Sequence, residues 1–230
     1  MNQKLEEPQG QVCFPRYKRY FNIANTLTVI VLLIVLGTGV YWLSGHFIKP
    51  IDGPSMQPGI NNNENATGDI ALVARYADVK RGDIVIIDMT ESKHTANEVN
   101  KKSLIKRVIA LGGDKLRIVE NNGIAEIYVN GKLIEEDYIS TDHWCSYYDD
   151  FNSQSGWVDW KDAWGRSTLP QNPDGSITIP DGYFFFMGDN RTQSYDGRCM
   201  GPMPLSYVMG VVETILPVGS FWNNFIMFMF

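Results

Sequence analysis

The chain has 230 residues, enough for one membrane segment and one soluble domain with its own core. Its 20 lysines and arginines against 26 aspartates and glutamates give a net charge of -6, which argues against a nucleic acid partner. The three cysteines form no C-x-x-C pair, so they exclude a dense disulfide framework and offer no pattern of metal ligands. No metal or cofactor is predicted.

An apolar run near the N-terminus predicts a membrane anchor. No charged residue occurs from Tyr20 to Gly45, and a helix of that length spans the roughly 30 Å of a bilayer's hydrocarbon core. Basic residues lie just before the run, which places residues 1–20 in the cytoplasm under the positive-inside rule. The run is longer than the apolar region of a cleaved secretion signal and lacks an Ala-x-Ala exit. We therefore expect an uncleaved single-pass anchor in the cell membrane at residues 21–45, with residues 46–230 outside the cytoplasm.

The outer region has the pattern of a mainly β domain. Short runs rich in Val and Ile alternate with turn signals such as Asn130-Gly131. The polar stretch from Glu91 to Lys102 lacks any periodicity and predicts a surface loop. The predicted strands are 69–74, 83–87, 104–110, 115–119, 124–129, 177–179, 183–187 and 207–215.

Two parts of the outer region differ from the rest. Residues 115–180 are rich in aromatic side chains and predict an inserted subdomain, whose aromatic residues we interpret as a small core rather than a binding platform. The apolar residues 221–230 are too few to span a bilayer, so we expect them to pack on the domain or to dip into the membrane. Cys145 and Cys199 would share the outer side, and whether they pair is left open.

Two residues of the outer region are candidates for chemistry. Ser55 lies in the run from Gly53 to Pro58, and a serine in a turn is more often a local hydrogen bonder than a nucleophile. Lys106 shares one face of a predicted strand with Leu104 and Val108. It is either an edge lysine with its ammonium in water or a buried neutral amine. A buried neutral amine could accept the serine proton as a general base.

Four sequence blocks resemble the type I signal peptidases, membrane-anchored Ser-Lys proteases that remove signal peptides from exported proteins. The blocks are Gly53 to Pro58, Arg81 to Val85, Lys106 to Asp114 and Gly188 to Arg198, in the family's order behind an N-terminal anchor. One block alone is weak evidence, whereas four in order are specific. The resemblance implies a transmembrane helix followed by a β-rich catalytic domain of the signal-peptidase type, with residues 115–180 inserted.

The resemblance also implies roles for individual residues. Ser55 is the expected nucleophile and Lys106 the expected general base. Ser194 is expected to hold the lysine amine by a hydrogen bond, and Asp196 to pair with Arg198 and with Arg107. Further residues are expected to shape the site, namely Gly53, Met56, Gly188 and Asp189.

The sequence departs from the family pattern near the expected nucleophile. Gly53 stands where other members have a serine that donates to the oxyanion, so the oxyanion hole would depend on backbone N–H groups. Residues 59–63 replace the usual Thr-Leu continuation. Gln193 and Gly197 stand where asparagine and serine are frequent. None of these changes removes a proposed catalytic group.

The resemblance implies exported preproteins as partners, cut after small residues at the first and third positions before the cleavage site. It also implies contact with the lipid bilayer and transient proximity to the secretion machinery. Two alternatives stay open: a conjugation-pilin-type processing peptidase, and an inactive membrane-anchored β-domain that binds exported peptides. A related repressor protease is disfavoured, because the first twenty residues are too few for a DNA-binding domain.

Overall fold

The computed structural model describes residues 17–90, 103–122, 124–139, 160 and 168–229 of the chain. It contains two compact units, Met1–Ser44 and Gly45–Phe230, and each is described by itself. Several predicted features lie outside the described residues: the tail up to residue 16, the loop 91–102, Cys145, and the tryptophans Trp144, Trp157 and Trp164.

The first unit contains helix α1, Tyr17–Gly45, which continues to the start of the second unit. Its segment Asn22–Gly45 has a mean hydropathy of 2.3 and is long enough to cross a membrane. The hydroxyls of Thr26 and Thr28 donate to carbonyls four residues earlier, at 2.8 and 2.9 Å. These bonds satisfy the polar groups of an otherwise apolar helix, as a lipid environment requires.

The second unit is built on a seven-stranded antiparallel sheet in the order β1-β2-β11-β3-β4-β9-β10. The prediction of a mainly β domain is confirmed. The strands of this sheet are β1 (His46–Asp52), β2 (Thr67–Ala74), β3 (Ile84–Asp88), β4 (Ser103–Leu111), β9 (Tyr183–Met187), β10 (Met203–Pro204) and β11 (Val208–Leu216).

The two edge strands of this sheet, β1 and β10, were not among the predicted strands. Strand β1 contains Pro50, which argues against a central strand but is tolerated at an edge, where its missing N–H costs no ladder bond. Strand β10 has only two residues, Met203 and Pro204, too few for an alternating pattern. Edge strands therefore escaped the sequence pattern because they are short or carry proline.

A second, four-stranded sheet lies within the predicted insertion, in the order β7-β6-β5-β8. Asn130 and Gly131 have φ of +53° and +77° and form the turn between β6 and β7, as the hairpin signal predicts. Trp160 is 6% exposed and packs in the same apolar cluster as Leu116 and Phe185, which agrees with a core role. The strands are β5 (Lys115–Asn121), β6 (Ile124–Val129), β7 (Lys132–Leu133) and β8 (Ile177–Thr178).

Two short helices complete the second unit. Helix α2, Gly197–Met200, is wholly buried and is capped by Asp196, whose side chain accepts from the Arg198 N–H. Helix α3, Phe221–Met229, follows the last strand of the large sheet. The sequence analysis predicted neither helix. Helix α2 has only four residues, and the nearly uniform apolar pattern of α3 does not indicate a helical face.

Apolar packing beneath the large sheet supports one loop in particular, residues 53–66 between β1 and β2. Met56 is 1% exposed and Ile60 is 3% exposed, and both pack with Ile86 and Ile105 of strands β3 and β4. Burying such side chains stabilises the fold by about 1.5 to 3 kcal/mol each. The loop that contains Ser55 is therefore anchored by its own apolar residues onto the middle of the sheet.

Candidate active site

Ser55 lies in the loop that leaves strand β1, and the loop geometry presents its side chain. Gly53 has φ of +102°, a conformation that L side chains rarely adopt, and its N–H donates to the Ala66 carbonyl at 2.7 Å. Ser55 itself is partly exposed, whereas Met56 beside it is buried. The hydroxyl is thus held on a fixed loop and stays accessible to a ligand.

Lys106 lies on the interior strand β4, between β3 and β9, and only 2% of it is exposed. Its Nζ donates to the Ser55 Oγ at 2.8 Å and to the Ile105 carbonyl at 2.9 Å. The alternative of an edge lysine with its ammonium in water is therefore wrong. The fold brings a buried amine into direct contact with a serine hydroxyl 51 residues earlier in the chain.

The loop after strand β9, residues 188–196, is docked against the Ser55 loop. The backbone N–H of Asn190 donates to the Ser55 carbonyl at 3.1 Å, and its side-chain amide donates to the Pro54 carbonyl at 3.2 Å. A Cβ at Gly188 would fall inside contact distance of the Ser55 carbonyl and the Ser194 Oγ. Only glycine allows the two loops to approach this closely.

Ser194 and Asp196, at the end of that loop, form a buried polar cluster with Arg198. The Ser194 Oγ donates to Asp196 Oδ2 at 2.7 Å, and Arg198 donates to the two Asp196 oxygens at 2.8 and 2.9 Å. Complete burial would raise the pKa of Asp196, but the Arg198 charge and the hydrogen bonds outweigh it and hold the pKa below its usual range. In this structure Ser194 bonds to Asp196, and its predicted bond to Lys106 stays a prediction.

Arg107 pairs with Asp189 and not with Asp196, contrary to the expected second pairing. Its Nε and Nη2 donate to Asp189 Oδ1 and Oδ2 at 2.8 and 2.7 Å, while Arg198 occupies Asp196. Both carboxylates are buried, so each requires its own guanidinium partner. Because Lys106 and Arg107 are adjacent, their side chains lie on opposite faces of strand β4, and Arg107 reaches a different part of the loop.

Sequence reasoning missed Arg191, the arginine within loop 188–196, and its partners in the predicted insertion. Arg191 is 3% exposed; its Nε donates to the Gly188 carbonyl at 3.0 Å, and its guanidinium forms an ion pair with Glu136. The Tyr138 hydroxyl also donates to Glu136, at 2.8 Å, and burial of the phenol raises the pKa of Tyr138. No local pattern marks these residues, because an isolated Glu or Arg in a loop usually lies in water.

A cleft of about 360 Å³ opens at the candidate pair. One side is strand β1 from Lys49 to Asp52, and the other is the first part of strand β4 from Ser103 to Lys106. Ser55 lies at the cleft together with Gln193 and Tyr195 of the docked loop. Among the described residues, no cluster of His, Cys, Asp and Glu is arranged to hold a metal ion.

Comparisons with known proteins identify the family of this chain. The family described as signal peptidase, peptidase S26, matches residues 21–217. The chain belongs to the signal peptidase family. Its similarity to curated relatives extends over most of its length: signal peptidase I U of Bacillus subtilis is 28% identical over 77% of this chain and 80% of the relative. Signal peptidase I of Streptococcus pneumoniae is 26% identical over 89% of this chain and 98% of the relative.

Solved structures similar to this chain include a signal peptidase I from Enterococcus faecalis V583. It is 22% identical, with a TM-score of 0.35 over 59% of this chain and 97% of that chain. Membership of the signal peptidase family confirms the predicted function, removal of signal peptides from exported preproteins, and identifies a serine endopeptidase family. The two alternative functions are not favoured. The apolar helix α1 is consistent with a location in the membrane.

Proposed function

We propose that this signal peptidase cuts preproteins with a dyad of Ser55 as nucleophile and Lys106 as general base. A single observation carries the proposal: the amine of a lysine that is 2% exposed lies 2.8 Å from the hydroxyl of a partly exposed serine. Burial disfavours the charged form of an amine, so this environment favours the neutral lysine that a base requires. The cleft brings substrate to the hydroxyl side of the pair.

The proposed reaction has two halves. Neutral Lys106 takes the proton of the Ser55 hydroxyl while the oxygen attacks the scissile carbonyl, and the resulting ammonium gives that proton to the leaving amine as the C–N bond breaks. The products are a free amine and an ester at Ser55. Lys106 then takes a proton from water while the hydroxide attacks the ester carbonyl. The acyl C–O bond to Ser55 breaks and releases the signal peptide as a carboxylic acid, and the Lys106 ammonium returns the proton to the Ser55 oxygen.

The carbonyl oxygen becomes negatively charged during both attacks and needs hydrogen-bond donors. The backbone N–H of Ser55 is one candidate, because none of the described residues accepts a hydrogen bond from it. Gly53 has no side chain to contribute, although it stands where other family members have a donating serine. The proposed oxyanion hole therefore consists of backbone donors, which a rigid loop can hold in place at little cost during the reaction.

The substrate is proposed to bind as an extended strand in the cleft between β1 and β4. Strand β1 is an edge of the sheet, so it can pair with a peptide that adds as a further strand. A small cleft of this kind suits small residues at the first and third positions before the cut, because alternate side chains point the same way. Nearby secretion machinery would deliver such chains.

The proposed topology places residues 1–20 in the cytoplasm, residues 21–45 in the bilayer and residues 46–230 outside. Helix α1 is long and apolar enough for this path, and the basic residues before it favour a cytoplasmic N-terminus. Substrates would then reach the cleft on the outer side. Residues 115–180 form the proposed insertion within that outer domain.

Cleavage of a labelled preprotein by the full chain in detergent tests this proposal. We expect one new N-terminus after a small-x-small sequence, read by mass spectrometry, and no product from Ser55→Ala or Lys106→Met. A preprotein with a bulky residue directly before the cut should stay intact. Undiminished cleavage by either variant would contradict the dyad, whereas cleavage after bulky residues would contradict only the substrate rule.

A further inference from the structure

Helix α3 exposes its aromatic side chains and buries a polar one. Phe221, Trp222 and Phe228 are 72%, 61% and 86% exposed, whereas Asn223 is 2% exposed. A surface helix of a soluble domain ordinarily has the opposite arrangement, with its apolar side chains against the core. Contiguous exposed aromatic residues of this kind mark an interaction surface.

The domain fixes this arrangement through polar contacts at the base of the helix. The Asn223 amide donates to the Gly68 carbonyl at 2.8 Å and to the Leu216 carbonyl at 3.0 Å. Just before the helix, the Val218 N–H donates to the buried carboxylate of Asp69 at 2.8 Å. Rotating the aromatic face toward the domain would break these buried hydrogen bonds. The bonds therefore stabilise the orientation in which the aromatic side chains point outward.

The chemistry of the segment fits the interfacial region of a lipid bilayer. Residues 217–230 include no charged side chain, and the helix has nine residues, about 13 Å, too short to span a membrane. Tryptophan and phenylalanine are typical of helices that lie at the boundary between headgroups and acyl chains. Helix α1 of the same chain is long and apolar enough to cross a membrane.

Helix α3 is attached to the domain at the end of strand β1 that is far from helix α1. Strand β1 begins at His46, directly after helix α1, and pairs with strand β2 from His46↔Ala74 to Asp52↔Thr67. Gly68, which binds Asn223 of helix α3, therefore lies at the far end of this strand pair. The length of β1 puts that end about 20 Å from His46, where the chain leaves α1. Ser55 follows β1 at the α3 end.

We propose that helix α3 lies in the headgroup boundary of the bilayer and forms a second membrane attachment of the domain, in addition to helix α1. An anchor at one point leaves a domain free to tilt and rotate. A second attachment about 20 Å away along β1 holds that edge of the sheet along the membrane surface. It thereby sets the height of Ser55 above the bilayer, where a membrane-embedded substrate presents its cleavage site.

Depth-dependent fluorescence quenching of Trp222 tests the proposed attachment. The full chain is reconstituted in vesicles of phosphatidylcholine and phosphatidylglycerol that contain phosphatidylcholine brominated either near the headgroup or near the chain end. The signal of Trp222 is the difference between the wild type and Trp222→Phe. Trp42→Phe gives the matched signal for helix α1, and Trp160→Phe gives it for a tryptophan buried in the domain.

We expect the Trp222 signal to be lost with lipid brominated near the headgroup and to persist with lipid brominated near the chain end. Quenching by neither lipid would overturn the proposal. So would a Trp222 signal that becomes sensitive to lipid only when the protein is diluted, because a second copy of the chain would then cover the helix. This measurement does not depend on catalysis, so its outcome is separate from that of the proposed dyad.

A cleavage assay tests whether helix α3 positions Ser55 at the membrane surface. This test rests on the proposed function. Phe225→Asn combined with Phe228→Asn should slow cleavage of a vesicle-embedded preprotein about tenfold, because loss of one attachment lowers the effective concentration of the site at the substrate. Cleavage of a soluble peptide in detergent should stay unchanged. Asn224→Ala on the same helix is the matched control. Equal slowing in both assays would show a folding defect instead, and no slowing in vesicles would refute the proposed positioning of Ser55.

Discussion

Arg107 and Asp189 form a two-bonded ion pair that joins the strand of the proposed base to the loop behind the proposed nucleophile. The two N···O distances are 2.8 and 2.7 Å, and the Arg107 guanidinium also stacks over the Tyr138 ring at 3.8 Å from its centroid. Burial lowers the pKa of Arg107, but Asp189 outweighs this and raises it above its ordinary value, so the guanidinium stays charged. The pair fixes strand β4 against residues 188–196, next to the contact between Lys106 and Ser55 that we propose to be catalytic.

Replacing Arg107 with lysine tests this connection. Lysine keeps the charge but loses both the planar fork and the stacking on Tyr138, so strand and loop should shift relative to each other. We expect kcat to fall about tenfold to a hundredfold with little change in KM, because small displacements of reacting groups cost that much. Steady-state kinetics across a pH series separates misplacement of Lys106 from simple loss of folded protein.

The matched control for this variant is Arg117→Lys. The Arg117 guanidinium also lies over a tyrosine ring, that of Tyr128 at 4.9 Å, but on the second sheet away from the cleft. Kinetics of this variant should equal those of the wild type. If both variants lose the same activity, the Arg107 pair has no special relation to the site.

Alanine at Gly188 should separate the two loops of the site. The added Cβ would overlap the Ser55 carbonyl and the Ser194 side chain, and the carbonyl is backbone that cannot rotate away. We expect activity to fall at least a hundredfold, since Ser55 must move relative to Lys106. Gly59→Ala is the control, because its Cβ would meet only the Met56 carbonyl at 3.7 Å, an ordinary contact. Full activity of Gly188→Ala would show that the loops need not approach this closely.

The buried Asp196 carboxylate should make the free energy of unfolding fall at acid pH. Its folded-state pKa is lowered, so its contribution is complete above its ordinary pKa of about 4 and is lost as pH falls toward the folded-state value. Asp196→Asn should lower the free energy of unfolding by about 3 to 5 kcal/mol at neutral pH, because Arg198 stays buried without its countercharge. Denaturant unfolding in detergent, followed by circular dichroism, should also show a weaker dependence on acid pH than in the wild type.

An exposed carboxylate provides the control for Asp196. Hydrogen bonds from Ser176 lower the pKa of Asp174, but its side chain lies in water. Asp174→Asn should therefore change stability little at any pH. The account of the buried pair would be contradicted if Asp196→Asn unfolds with the same free energy and pH dependence as Asp174→Asn.

We expect Glu136 to connect the predicted insertion to loop 188–196 through its ion pair with Arg191. Glu136→Gln leaves the Arg191 guanidinium, 3% exposed, without a countercharge, so we expect a loss of about 3 to 5 kcal/mol of stability and a lower kcat. The chain contains a matched pair, since Glu126 accepts from Tyr128 at 2.7 Å as Glu136 accepts from Tyr138. Glu126 is only half-buried and, among the described residues, lies beside no buried guanidinium, so Glu126→Gln should unfold much like the wild type. Equal stability of the two variants would contradict the proposed connection between the predicted insertion and loop 188–196.

Turn signals account for much of what could be predicted of the fold. Strands β6 and β9 begin and end at the predicted residues, because turn signals such as Asn130-Gly131 and Asp181-Gly182 bound these short runs of strand-forming residues. The order of four short blocks along the sequence indicates the family without any geometry. Such features are local or sequential, and a single chain displays them directly.

The remaining features depend on contacts between distant residues. The choice of Asp189 over Asp196 as the partner of Arg107 is decided by which face of strand β4 meets the loop. Asn61 lies in the stretch that departs from the family pattern; it is fully buried and bonds to Asp69 through its backbone N–H at 2.7 Å. An asparagine in a polar run gives no sign of burial, because only the folded chain supplies its partners.

Covalent labelling of Ser55 tests the central claim most directly. The full chain is treated with a serine-directed acylating inhibitor, and the modified residue is located by peptide mapping with mass spectrometry in the wild type and in folded Lys106→Met. We predict label on Ser55 in the wild type and its loss in Lys106→Met, because the hydroxyl then has no base 2.8 Å away. Equal labelling of Ser55 in both proteins, or label on another serine, would contradict the proposed dyad.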